Sequence, residues 1–343
     1  MKNIKGLATG IGSLPYKDPQ EALDLVFQYA PQIPFWPQLP KKDAREGMTA
    51  QFIEGLPCIK TSAEGVIFSP ENKEKELEVF YEKIISKQMA YFAISEAYAS
   101  GLYAFRKRLK KTDLSGVSFL KCHVTGPFTM AASIKDEKGV ILLHDQVFMQ
   151  AITQGLLMKA LWQAQFLEEF GKPVILFIDE PYLACFGSAY SALGRESVVA
   201  TLSEFCDCLA QAGILPGVHC CGNTDWSIFT QINSLKIINF DAFGFLDKLI
   251  LYSPEIENFL KQERILCWGI VPAQGYSSDM KASFLAEKIN KGIEAFFRKG
   301  LDKQALLENL LISPSCGLGT LSAQDASGVL KLLSEVSGLI RPN

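Results

Sequence analysis

The segment KPVILFIDEPY, residues 172–182, is the clearest indication of the fold class in this sequence. Its apolar run, residues 174–178, has the length of one strand and offers no polar face. That pattern is typical of a parallel sheet covered by helices on both sides. Asp179 and Glu180 follow the run directly, and Pro181 comes next. The segment therefore predicts a buried parallel strand with acidic residues at its carboxyl end.

Similar apolar runs recur along the 343 residues. The runs are residues 7–11, 35–39, 117–124, 174–178, 214–219, 237–240, 265–271 and 310–312. Segments with a helical spacing of apolar residues lie between them, at 19–29, 74–108, 142–170, 196–212, 254–262, 282–299 and 323–337. This alternation predicts the α/β class and a (β/α)8 TIM barrel. We expect one barrel domain over residues 1–343, with insertions around 41–116.

A doubly wound sheet is the alternative to the barrel. Such a sheet carries a glycine-rich phosphate turn after its first strand when it binds a dinucleotide. The corresponding turn here is TGIGSLP, residues 9–15, in which Pro15 and a missing third glycine break that fingerprint. The turn therefore favours the barrel.

Composition excludes several classes of protein. The chain has 34 Lys and Arg residues against 37 Asp and Glu residues, a formal net charge of -3, so nothing favours nucleic-acid binding. Its apolar stretches are too short to span a membrane, and no secretory leader opens the sequence. We expect a cytoplasmic protein, in which the nine cysteines are free thiols rather than a disulfide framework.

The sequence GVHCCGN, residues 217–223, contains the first candidate metal ligands, His219 and Cys221. Side chains alternate along a strand, so we expect these two on the same face. Cys316 follows the last apolar run, and Asp241 follows the run 237–240. One imidazole, two thiolates and one carboxylate at three strand ends predict a Zn2+ site. The alternative is that these cysteines pack as small apolar groups, as we expect for most of the others. We expect His123 to be a structural histidine with satisfied hydrogen bonds.

Six motifs, in this order, resemble the catalytic domain of cobalamin-independent methionine synthase. They are TGIGSLP (9–15), VTGPFTM (124–130), FIDEPYL (177–183), VHCCGN (218–223), INFDAF (238–243) and SPSCGLGT (313–320). The resemblance covers nearly the whole chain and implies a barrel of the methionine synthase/uroporphyrinogen decarboxylase superfamily. It also implies a catalytic zinc held by His219, Cys221 and Cys316. The fourth ligand of the family is a glutamate, and the aligned residue here is the shorter Asp241.

The resemblance further implies where an amino-acid substrate binds. The backbone of Ile11, Gly12 and Ser13 resembles the segment that holds the substrate carboxylate. Asp179 resembles the residue that pairs with the substrate ammonium, and Glu46 lies near a second amine-binding position of the family. A strand-end turn with a helix-capping carboxylate is the structural alternative for the Asp-Glu-Pro motif. The expected acceptor is a small thiol, with homocysteine the favoured one.

The sequence departs from the family on the side of the methyl donor. The tryptophan that stacks on the folate has no counterpart after VTGPFTM, and the loop 268–279 contains no histidine. The additional N-terminal half of the family also has no room in 343 residues. We therefore expect a methyltransferase whose donor is methylcobalamin or a corrinoid protein rather than a polyglutamylated folate.

Three other functions stay open at this point. A corrinoid-linked methyltransferase for another thiol shares the barrel and the His-x-Cys…Cys pattern. A non-catalytic barrel that binds zinc or a thiol would need the same ligands. Uroporphyrinogen decarboxylase shares the barrel, but it would require arginines near the entrance, and the first forty residues contain none.

Overall fold

A parallel sheet of seven strands forms the centre of the fold. The computed structural model describes residues 4–62, 65–188 and 193–341. The strands are β1 (Leu7–Ala8), β2 (Ile59–Ser62), β3 (Gly65–Phe68), β4 (Leu120–Thr125), β5 (Val174–Asp179), β6 (Leu215–Cys220), β7 (Ile237–Phe240), β8 (Ile265–Val271) and β9 (Leu310–Pro314). The large sheet has the order β1-β9-β8-β7-β6-β5-β4 and curls into a half-barrel, while β2 and β3 form a separate antiparallel pair. The α/β class predicted from the sequence is confirmed.

Helices surround this sheet. In the described residues they are α1 (Pro19–Tyr29), α2 (Lys73–Ile85), α3 (Ser100–Leu109), α4 (Pro127–Ser133), α5 (Gln146–Leu167), α6 (Arg195–Gln211), α7 (Ser227–Thr230), α8 (Ala242–Leu249), α9 (Ser253–Lys261), α10 (Ala282–Phe297), α11 (Lys303–Glu308) and α12 (Ala323–Ile340). Most parallel strands are followed by a helix, as strand–helix alternation requires. None of these helices has the length and apolar character needed to cross a bilayer.

The run 35–39 is not a strand, contrary to the sequence prediction. It makes only isolated parallel bridges, from Phe35 to Lys121 on β4 and from Gln38 to Ser13 beyond β1. Pro34 and Pro37 lack the N–H that a ladder needs, which explains why the pairing does not extend. The segment nevertheless contacts both edges of the curled sheet.

The prediction of one helical segment over residues 74–108 is also wrong. It divides into α2 and α3, with a 3-10 turn at Met89–Phe92 between them. Lys87 takes a left-handed backbone conformation, φ 51°, which ends the first helix. The hairpin β2–β3, which lies in the predicted insertion, was not expected from the apolar pattern.

Burial on both faces of the sheet explains the decisive segment 174–178. Ile175 and Phe177 belong to an apolar cluster on the inner face, and Leu176 and Ile178 belong to the larger cluster under the helices. Alternate residues of one strand thus fill two separate cores. Each large apolar side chain contributes roughly 1.5–3 kcal/mol to stability when fully buried. A polar residue within the run would lose that contribution.

Glu180, which follows β5, contacts the start of α4, which follows β4. Its carboxylate accepts hydrogen bonds from the backbone N–H of Phe128 (2.9 Å), and from the N–H (2.9 Å) and hydroxyl (2.7 Å) of Thr129, at the start of α4. Burial raises its pKa to about 7 although these donors favour the charged form. This half of the Asp-Glu-Pro motif therefore has the structural role of a helix-capping carboxylate.

Gly126 is required by this arrangement, and its replacement gives a first prediction. A Cβ at this position would lie 2.2 Å from Cδ of Glu180, which three hydrogen bonds hold in place. We expect Gly126→Ala to lower the free energy of unfolding by about 1–3 kcal/mol, measured by urea denaturation. Gly116→Ala is the matched control, since a Cβ there meets no described heavy atom within 4 Å. Equal effects of the two variants would contradict this account.

Candidate metal centre

Three of the predicted ligands lie together at the carboxyl end of the sheet. One ligand atom each of His219, Cys221 and Cys316 lies within 4.8 Å of the other two, and the group could hold a metal ion. His219 is on β6, and Cys221 comes directly after the last residue of that strand, with its thiol on the same side as the imidazole. Cys316 follows β9, which is not a neighbour of β6 in the sheet, so the curl of the sheet brings it close.

Hydrogen bonds link the three side chains through Cys316. A hydrogen bond between the thiols lowers the pKa of Cys221, and the same bond, together with burial, raises the pKa of Cys316. Burial disfavours the charged form of His219, but the adjacent Cys316 and Asp179 outweigh it and raise the pKa of the imidazole. A cation bound here would displace these protons, because metal ligands must be deprotonated.

Asn239 holds the His219 ring in one orientation. Its Nδ2 donates to the carbonyl of Cys267 (3.0 Å) and to the hydroxyl of Ser313 (2.8 Å), which itself donates to the carbonyl of Pro314 (2.9 Å). Both amide hydrogens are thereby used, so Oδ1 is the atom that faces Nδ1 of His219, at 2.5 Å. Nδ1 consequently carries the proton, and Nε2 is left as the ligand atom.

Sequence reasoning missed Asn239. Its signal was present, because it is a polar residue inside the apolar run IINF and lies two positions before Asp241. Residues at that spacing share a face of a strand.

Asp241 is not part of the group of three. Its carboxylate accepts a hydrogen bond from the N–H of Gly244 (2.8 Å) and caps the start of α8. Burial raises its pKa despite that bond. A role for Asp241 as a metal ligand stays a prediction.

A cleft of about 570 Å³ opens above the three ligands. It is lined by Ile11, Gly12, Ser13, Gln38, Pro40, Lys41, Met48, Asp179, Pro181, His219, Cys221, Ala273, Gln274, Cys316, Gly317, Gly319 and Thr320. The cleft thus combines the candidate metal ligands with four of the five predicted substrate-binding residues.

Asp179 lines this cleft and has one carboxylate oxygen that is unpaired in the described structure. The side chain is only 8% exposed, and its Oδ1 has no hydrogen-bond partner among the described residues. Burial raises its pKa to about 6, while Lys121 and His219 favour the charged form. A buried unpaired carboxylate costs free energy unless a ligand satisfies it, and a ligand ammonium would do so.

The turn at Ile11, Gly12 and Ser13 presents backbone N–H groups. The carbonyl of Gly12 accepts from the N–H of Gln38 (3.1 Å), and the carbonyl of Ser13 accepts from the N–H of Leu318 (2.9 Å). Within residues 4–62, 65–188 and 193–341, the N–H groups of Gly12 and Ser13 have no acceptor. Unpaired N–H groups at a glycine-containing turn can bind an anion.

Glu46 does not line the cleft. It is buried, and its Oε1 accepts from the hydroxyl of Ser100 (2.5 Å), while Oε2 is unpaired in the part of the chain that the structure describes. Burial raises its pKa. A substrate role for Glu46 stays a prediction that the shape of this cleft does not favour.

The expectation that His123 has satisfied hydrogen bonds is wrong. Neither ring nitrogen of this buried imidazole has a hydrogen-bond partner in the described structure. The ring instead stacks on Trp36 at 3.9 Å between centroids and lies against Gly12, where an added Cβ would be 2.8 Å from its Cε1. Burial holds its pKa well below the usual value, so the ring stays neutral.

No protein-family model matches this chain, and no curated protein matches it.

The contact between Asn239 and His219 gives a second prediction. Asn239→Leu removes the acceptor that orients the ring, so we expect affinity for Zn2+ to fall about 10- to 100-fold. Competition with a chromophoric chelator measures this directly. Asn309→Leu is the control, because Asn309 precedes β9, at the end of that strand away from Cys316, and its amide donates to the carbonyl of Ala305. Unchanged affinity in Asn239→Leu would show that Asn239 does not orient the ligand.

Proposed function

We propose that this chain is a zinc-dependent methyltransferase that methylates the sulfur of a small amino thiol, with homocysteine as the favoured acceptor. The observation that carries the proposal is the convergence of His219, Cys221 and Cys316 in a cleft that also contains Asp179 and unpaired backbone N–H groups. One cleft therefore has separate groups for a thiol, an ammonium and a carboxylate.

Zinc fits the three ligands. Imidazole and thiolate are typical zinc ligands, and three protein ligands with one open position are typical of catalytic zinc sites. When bound, the ion supplies positive charge that favours the thiolate form of a small thiol over its protonated form. His219, Cys221 and Cys316 would hold it, with Asn239 fixing the tautomer of the imidazole.

The remaining groups orient the acceptor. A carboxylate of Asp179 pairs with the ammonium of the substrate, a charge-assisted contact worth roughly 1.5–3 kcal/mol. The N–H groups of Gly12 and Ser13 bind the substrate carboxylate. These contacts favour an amino-acid thiol over a thiol that lacks an amine.

The transfer itself moves a methyl group without its bonding electrons. A carbon–sulfur bond forms on the acceptor, the donor keeps the electron pair of the bond that breaks, and the thiol proton is released. We infer that the donor is methylcobalamin or a corrinoid protein in the cytoplasm, because the sequence lacks the folate-stacking tryptophan that the resemblance would require.

We also infer that the sheet closes into the expected (β/α)8 barrel. Support comes from the segment 35–38, which bridges to Lys121 on β4 and to Ser13 beyond β1, the two edges of the curled sheet. The proline-interrupted segment would thus take the place of the eighth strand. Closure of this kind would keep the ligands of β6 and β9 facing one cavity.

Loss of zinc and of turnover in Cys316→Ser is the third prediction and the main test of the function. The purified wild type should contain about one zinc ion per chain and transfer methyl from methylcobalamin to homocysteine. Cys316→Ser should lose most of the zinc and the activity. Cys185→Ser is the control, since Cys185 is an exposed cysteine outside the group of three.

Other results of that experiment would change the proposal. Full zinc content in Cys316→Ser would remove the metal site. A strict requirement for methyltetrahydrofolate would overturn the donor. Zinc and thiol binding without turnover from any donor would support the non-catalytic alternative.

The fourth prediction concerns Asp179 and pH. Its pKa is raised to about 6 when no cation is bound beside it, so the carboxylate forms as pH rises through the acidic range up to 6. We therefore expect the preference for homocysteine over 4-mercaptobutanoate, which lacks the amine, to increase about tenfold or more over that range. Titration calorimetry of the zinc-loaded protein measures both affinities. Asp179→Asn should abolish the increase and leave zinc content unchanged, whereas a preserved increase would exclude Asp179 as the ammonium partner.

A further inference from the structure

A fully buried lysine lies behind the cleft. Lys121, on β4, is 0% exposed, and its ammonium lies 4.5 Å from the centre of the Phe177 ring. Its Nζ donates a hydrogen bond to the backbone carbonyl of Ile11. Burial lowers its pKa to about 8, partly offset by Asp179, so the side chain is still mostly charged at neutral pH. A buried charge is costly and calls for an explanation.

The contact of this ammonium with the Ile11–Gly12 peptide explains why it is buried here. The carbonyl of Ile11 and the N–H of Gly12 belong to the same peptide, and every described peptide bond is trans. In a trans peptide these two groups point in opposite directions. An ammonium on the carbonyl therefore directs the N–H of Gly12 away from Lys121, and Gly12 lines the cleft. The same contact strengthens that N–H as a donor, since linked hydrogen bonds polarise one another.

We propose that Lys121 is a positioning residue for the carboxylate of the acceptor, acting through the Ile11–Gly12 peptide rather than by direct contact. This inference rests on the proposed function, because it assumes that the acceptor is a carboxylated thiol. Lys121 does not line the cleft, so it acts on the ligand carboxylate through the peptide that it holds. It also favours the charged form of Asp179, which affects the amine of both thiols alike. The unpaired N–H of Gly12 is the group that the ligand contacts.

A second buried lysine serves as the comparison. Lys159, on α5, is also 0% exposed, and burial also lowers its pKa to about 8. Its Nζ has no hydrogen-bond partner in the described ranges, and it does not line the cleft. Burial of a lysine is thus common to both sites, and the hydrogen bond to a cleft peptide distinguishes Lys121.

The test compares two thiols that differ only in the carboxylate. Homocysteine and 3-aminopropane-1-thiol are titrated calorimetrically into the zinc-loaded wild type, Lys121→Met and Lys159→Met. We expect the wild type to prefer homocysteine, and Lys121→Met to reduce that preference about tenfold or more. Binding of 3-aminopropane-1-thiol should fall clearly less than binding of homocysteine, the smaller loss arising because Lys121 also favours the charged form of Asp179. Lys159→Met should retain the wild-type preference.

Each contrary result has a distinct meaning. Equal losses for both thiols in Lys121→Met would overturn this inference and leave the proposed function intact. A wild type that does not distinguish the two thiols would overturn it as well. Failure of the zinc-loaded wild type to bind either thiol would overturn the inference and the proposed function together.

A measurement on the wild type alone covers the case in which Lys121→Met does not fold. The amide proton resonance of Gly12 should move downfield when homocysteine is added, since its N–H gains an acceptor. 3-Aminopropane-1-thiol should leave that resonance in place. An unmoved Gly12 resonance with bound homocysteine would overturn the inference.

Discussion

The inner face of the curled sheet must be filled by every second residue of its parallel strands, and the rest of the structure depends on this constraint. On β5 the inner positions are Ile175 and Phe177, which pack in the inner apolar cluster, followed by Asp179 in the cleft. On β6 the same alternation places Gly217 in the interior and then His219 and Cys221 at the open end. Apolar side chains fill the interior of the curled sheet, so the polar side chains lie at the carboxyl ends of the strands.

Buried polar groups need hydrogen-bond partners, and buried charges need opposite charges nearby. Lys121 and Asp179 each favour the charged form of the other, and Cys316 is hydrogen-bonded to both His219 and Cys221. Some groups stay unsatisfied, among them the carboxylate of Asp179 and the N–H of Gly12. Such unpaired groups destabilise the free protein, and a ligand that satisfies them gains the corresponding free energy. Among the described residues, the site therefore contains both an unpaired acceptor and an unpaired donor.

Neighbouring residues in the sequence have very different roles in the structure. Asp179 faces the cleft, whereas Glu180, the next residue, caps α4 and never reaches it. Asp241 follows its strand as predicted, yet it caps α8 beside the metal candidates. Motif spacing alone cannot separate these cases, because the side chain's direction depends on how the backbone leaves the strand. The same limit applies to His123, whose stacking on Trp36 comes from a segment far away in sequence.

The sequence by itself determined the α/β class and the positions of the strands of the large sheet, and it named His219, Cys221 and Cys316 as candidate ligands. Period-2 and helical spacing are local properties, and His219 and Cys221 share a face for that reason alone. Only the tertiary structure decided that Cys316 reaches them, that Asn239 orients the imidazole and that Lys121 holds the Ile11–Gly12 peptide. Each of these contacts joins different strands. The contacts of Cys316 and Lys121 depend on how far the sheet curls, and that of Asn239 depends on the register of β7 against β6. No single stretch of sequence contains either property.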